Sequence, residues 1–141
     1  LSIESENILA FTPDCKYDVR FIGCGVISQK GLATSTLTGT GPNAYVAILI
    51  DGNPIVLSNI QTGSTLVVDP DAVVCWMGNG YCDPDIKMDV NWKTFIGQTS
   101  GESYSFEWNA RQPVTVIIQP NERASGINLG MDGGRLGHRP N

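Results

Sequence analysis

Side chains able to do acid–base, nucleophilic or metal chemistry are few in this 141-residue chain, and their spacing suits none of those tasks. The one histidine, His138, lies in the Gly-rich run "NLGMDGGRLGHRPN". A Ser-His-Asp triad, a Cys-His pair and a His-bearing metal centre each need an imidazole held in fixed geometry, which such a tail does not supply. Asp69, Asp71, Asp83, Asp85 and Asp89 raise the question of calcium. Asp-Pro-Asp is first a turn-forming sequence, however, and EF-hand spacing is absent. Glu102 and Glu107 are of the type glycosidases use. Glu107, though, alternates with Tyr104, Phe106 and Trp108, which puts it on a solvated strand face. The Gly pairs Gly39–Gly41, Gly78–Gly80 and Gly133–Gly134 lead into no helix opening on Lys-Ser/Thr, so they read as turns and not as a phosphate loop. We therefore assign no catalytic, cofactor-binding or metal residue and expect a non-enzymatic protein that needs no cofactor. A carboxylate- or metal-dependent hydrolase ranks last.

Composition narrows the partners. The net charge is −5, and Lys and Arg are scattered singly, which argues against nucleic-acid phosphate as a ligand. Charged residues make up 16% of the chain, below the roughly 25% usual for soluble domains, so part of the surface is expected to be covered by another subunit. The longest apolar run, Ala44 to Ile50, falls far short of the roughly 20 residues a membrane-spanning helix requires. The four cysteines, Cys15, Cys24, Cys75 and Cys82, show no C-x₂-C spacing. Cys15 and Cys75 fall in apolar strand phase and read as small hydrophobes; Cys24 and Cys82 fall in turn-rich stretches where a disulfide stays open. The plainer reading is a reducing compartment such as the cytoplasm.

The elements that must position these residues are strands. No window of a dozen residues keeps a helical period. "TPDCKYDVRF" from Thr12 and "DPDIKMDVNW" from Asp83 are near copies. In the first, Cys15, Tyr17, Val19 and Phe21 alternate with polar residues, which predicts a buried apolar face. Upstream, "LSIESENILAF" from Leu1 reads against "LVVDPDAVVCW" from Leu66, with Met77 to Cys82 as an insertion. The expectation is an all-β chain of tandem antiparallel β-sandwich repeats. One domain, 1–127, would hold two units, about 1–65 and 66–127, followed by a Gly-rich tail at 128–141. A third unit would precede them in a longer chain. Between the units, Ala44 to Ile50 and Ile55 to Ile60 flank "DGNP", which predicts a hairpin covered on both faces. Trp76, Trp92 and Trp108 recur in strand phase and read as core or interface anchors.

The order of "LVVDPDAVVCW", "DPDIKMDVNW", "TLTGTGPNAYV" and "VIIQP" resembles the altered-inheritance-of-mitochondria family, a widespread bacterial group with a mitochondrial member. The resemblance covers Leu1 to about Ile118. It implies β repeats similar to the tryptophan RNA-binding attenuation protein subunit, three to a full-length chain, and brings no catalytic residues. The turn "NARQP" departs from it, lacking the Gly-x-Gly of the first copy. The function expected is an oligomeric structural, assembly or interaction module with protein partners. The alternative is a ring-type binder of RNA or a small ligand, which rests on fold analogy alone.

Overall fold

The computed structural model describes residues 1–22, 32–88 and 104–120, and within them the chain is built of antiparallel strands, in keeping with the all-β expectation. In order these are β1 (Ser2–Ile3), β2 (Ile8–Phe11), β3 (Cys15–Ile22), β4 (Leu32–Gly39), β5 (Val46–Ile48) and β6 (Ile55–Ser58). A single helical turn, α1 (Asn59–Thr62), leads to β7 (Leu66–Val68), β8 (Val73–Met77), β9 (Asp85–Met88), β10 (Tyr104–Trp108) and β11 (Thr115–Ile118). Three sheets result, ordered β3-β4-β1-β8-β11-β6, β7-β10-β9 and β2-β5. The duplicated strand is described only in part, since residues 89–92, with Asp89 and Trp92, lie outside the described residues. So do Cys24, Glu102 and His138.

The same pairing recurs in the two halves of the chain. β4 lies between β1 and β3, as β10 lies between β7 and β9. β2 pairs with β5 as β8 pairs with β11. The register agrees as well, with Phe11 opposite Val46 and Ala10 opposite Ala47, matching Trp76 opposite Val116 and Cys75 opposite Ile117. Both ladders carry an irregularity that skips one residue, Leu9 in β2 and Val74 in β8. Backbone bonds repeat too: Leu49 N–H donates to the Asn7 carbonyl and Gln119 N–H to that of Ala72, both at 2.8 Å. A 3-10 turn precedes β2 (Ser5–Asn7) and β8 (Pro70–Ala72) alike.

Three expectations need correcting. The segments flanking "DGNP" form no hairpin: β5 pairs with β2 and β6 with β11, so they belong to different sheets. The loop signal is local, whereas each strand is claimed by a partner elsewhere, β5 by β2 and β6 by β11. Nor are both faces covered, because Tyr45, Leu49, Ile55 and Val56 are exposed and β6 ends in α1 instead of running to Ile60. On β3 the alternation is reversed in its outcome: Tyr17, Val19 and Phe21 are exposed, and Ile22 is the buried apolar residue. The cause is where the second half packs. It lies on the Arg20 and Ile22 side, so that Ile22 joins the core of Val73, Trp76, Phe106 and Trp108. Finally, Ile3 faces Ser35 where Val68 faces Phe106, and against those same two residues stand Val19 and Ile86. The structural equivalent of Ile86 is thus Val19, not Cys15, because the Met77 to Cys82 insertion slides β9 along its partner.

Candidate functional site

The residues singled out for chemistry are dispersed and occupied with structure. The Asp69 side chain accepts from the Asp71 backbone N–H at 3.0 Å, capping the 3-10 turn as Asp-Pro-Asp sequences do. Asp83 accepts from the Arg20 guanidinium at 2.5 Å, and the same guanidinium lies 4.0 Å above the Tyr81 ring. The insertion 77–82 therefore grips β3 of the first half. Glu107, partly buried, sits in β10 between Val67 and Asp85. Among the described residues no three His, Cys, Asp or Glu side chains converge on a point that could hold a metal.

Among the described residues three thiols are free: Cys75 and Cys82 are buried, and Cys15 is half-buried. Burial pushes the Cys75 thiol up to about 11 and raises that of Cys82, so both stay protonated and unreactive near neutral pH. One small cavity of about 70 Å³ lies between the halves, lined in part by Glu4, Asp71, Thr34, Trp76 and Tyr104. Desolvation raises the Tyr104 phenol, and the charges of Asp71, Glu4 and Asp69 add to it, so the phenol is a hydrogen-bond donor there and not a base. Space for a water or two does not make a substrate pocket.

What stands out is an apolar surface. Trp76, Phe106 and Trp108 form a buried aromatic cluster with centroids 5.8 to 6.0 Å apart, and Trp108 Nε1–H donates to the Cys82 carbonyl at 2.8 Å. Trp76 and Trp108 are thus core anchors, as their strand phase predicts. Phe11, which stands in the first half where Trp76 stands in the second, turns outward. Phe11 is exposed and stacks on Tyr17, rings 6.1 Å apart, with Leu9, Val19 and Phe21 also exposed on β2 and β3. Monomeric soluble domains seldom carry so many large apolar side chains on adjoining strands, because each forgoes the gain from burial.

The sequence model of a family described as mitochondrial biogenesis AIM24 matches residues 1–121. The chain belongs to the AIM24 family. No match is found among curated proteins or among solved structures. Among the described residues of this AIM24 chain, no helix is long and apolar enough to cross a membrane.

The sequence pattern put Ala44 to Ile60 at the centre of the fold or at a subunit contact and did not point to the exposed apolar residues of β2 and β3. A usable signal was there: β4 opposite β3 reads "ATSTL" where β10 reads "YSFEW". With small residues where Tyr104 and Phe106 stand in the second half, the first half lacks the bulk for an aromatic core of the same kind. A second missed residue is Asn59, buried at the start of α1. Its side-chain N–H groups donate to the Asn109 and Gln112 carbonyls, and its Oδ1 accepts from Val114 N–H, which ties α1 to the turn before β11.

Proposed function

We propose that this AIM24-family chain is a non-enzymatic, homo-oligomeric module whose work is assembly: it presents β surfaces to further copies and to protein partners. It consists of two units, about 1–65 and 66–127, of one β-sandwich repeat similar to the attenuation-protein subunit, with 128–141 appended. The repeated pairing, the shared ladder irregularity and the matched backbone bonds support that organisation. The observation that carries the functional reading is the exposed apolar face of Leu9, Phe11, Tyr17, Val19 and Phe21. A family description of mitochondrial biogenesis fits a structural role better than turnover of a small substrate. The compartment we take to be reducing, a bacterial cytoplasm, where free thiols such as Cys15 persist.

Native mass spectrometry of the chain at micromolar concentration tests this. The expected result is a discrete oligomer free of metal and small molecules, which Phe21→Glu reduces toward single chains while the β circular-dichroism signature stays. A wild-type monomer, or one carrying a stoichiometric metal or small ligand, contradicts the proposal.

A further inference from the structure

Asparagine followed by glycine is open to attack on its own side chain, because glycine carries no Cβ to crowd its backbone nitrogen and leaves the chain free to bend. Asn79–Gly80 is the one such pair in the sequence. It stands at the tip of the insertion after β8, where both residues are exposed. Gly80 has φ 72°, and nothing lies within 4 Å of where its Cβ would be. Among the described residues no hydrogen bond holds the Asn79 side chain or the Gly80 N–H.

The other described asparagines each lack one of these conditions. Asn7 and Asn59 are buried. Asn53 precedes Pro54, whose nitrogen has no proton to lose. Asn109 precedes Ala110, and its side-chain oxygen is engaged by Arg111 N–H at 3.0 Å. Asn43 precedes Ala44, whose methyl group crowds the nitrogen.

We propose that Asn79 is a site of spontaneous covalent modification, at which the folded chain exchanges the side-chain amide for a carboxylate. The Gly80 nitrogen gives up its proton to the solvent and attacks the Asn79 Cγ. The Cγ–Nδ2 bond breaks, ammonia leaves, and a five-membered succinimide closes. Water then opens the ring at one of its two carbonyls. One opening restores the backbone with aspartate at position 79; the other routes the chain through the former side chain as isoaspartate. Either product adds a negative charge, and the second lengthens the backbone by a methylene.

The added length falls on the tip, because the insertion is held at both ends. A Cβ at Gly78 would lie 2.8 Å from the Pro113 carbonyl oxygen and 3.0 Å from Cys82 Sγ. The Cys82 carbonyl accepts from Trp108 Nε1–H, and Asp83 pairs with Arg20. Between these ends lies Tyr81, whose ring covers the Arg20 guanidinium. The inference does not depend on the oligomeric reading.

The test is ageing of the full chain in mildly alkaline buffer, once folded and once unfolded in urea, with peptide mapping by mass and a time-zero sample to remove conversion during digestion. The folded chain is expected to gain acid at Asn79, as aspartate and isoaspartate, while Asn43 and Asn109 remain amides. On anion exchange a more acidic species should grow with time and be missing from Asn79→Gln, which keeps an amide but cannot close the five-membered ring. Conversion at Asn79 only in urea, conversion of Asn43 or Asn109 as fast as Asn79, or no conversion in either sample overturns the inference.

Discussion

β2 and β8 occupy the same place in their halves of the chain, share a ladder register and an irregularity, and have opposite fates. In β8, Val74 is 1% exposed and Trp76 5%, because β1 covers one edge, β11 the other, and the aromatic cluster one face. In β2, Leu9 is 70% exposed and Phe11 43%, with β5 its one paired neighbour among the described residues. The backbone path does not make this difference. It comes from what lies beside each strand, and it shows that the first half is finished on the side facing the second half and unfinished on the other. Burying an apolar side chain contributes about 1.5–3 kcal/mol, so the exposed residues of β2 and β3 forgo a gain that their counterparts in β8 make.

The sharpest way to break the comparison is to place the same charge in both strands. Val74→Asp puts a carboxylate into the dry interior of β8 and is expected to cost about 3–5 kcal/mol, enough to unfold the chain by circular dichroism. Leu9→Asp should leave the fold within about 0.5 kcal/mol of wild type in urea melts and remove the oligomer. Equal destabilisation by the two would end the distinction. Next in size is Asn59→Ala, which removes three hydrogen bonds, the buried one from Val114 N–H among them, and leaves that N–H unpaired; a loss of about 2–4 kcal/mol is expected on urea denaturation. Ile60→Ala, next door but exposed, should change little.

The smallest effect compares Cys75 with its exposed counterpart Ala10. The folded Cys75 thiol ionises near 11, above its ordinary 9.0. Between those values the unfolded chain loses the proton and the folded chain keeps it. Stability is therefore fully present below about pH 9 and declines as pH rises toward 11, by no more than about 3 kcal/mol. Urea melts at pH 8 and pH 10.5 should show wild type losing more than Cys75→Ala, and identical slopes would contradict the burial argument.

Much of this was legible in the sequence. The alternation of Tyr104, Phe106 and Trp108, the apolar run into Trp76 and the Asp69-Pro70-Asp71 turn all end where their local patterns put them. A period of two establishes that Tyr17, Val19 and Phe21 share a face, but not which face the neighbours will cover. That depends on the side the second half packs against, a long-range fact. The "DGNP" signal fails for a similar reason: a loop that permits a hairpin does not compel one when β2 and β11, distant in sequence, take the two strands as partners. The candidate surface escaped sequence reading because apolar residues on an exposed strand look the same as apolar residues in a core.

Amide hydrogen exchange followed over a concentration series tests the central claim most directly. In β2, protection of the amides around Leu9 and Ala10 should rise with protein concentration and fade on dilution, while protection in β8 around Val74 and Cys75 stays constant. Protection of β2 that is weak at every concentration, or strong and independent of it, would contradict the account.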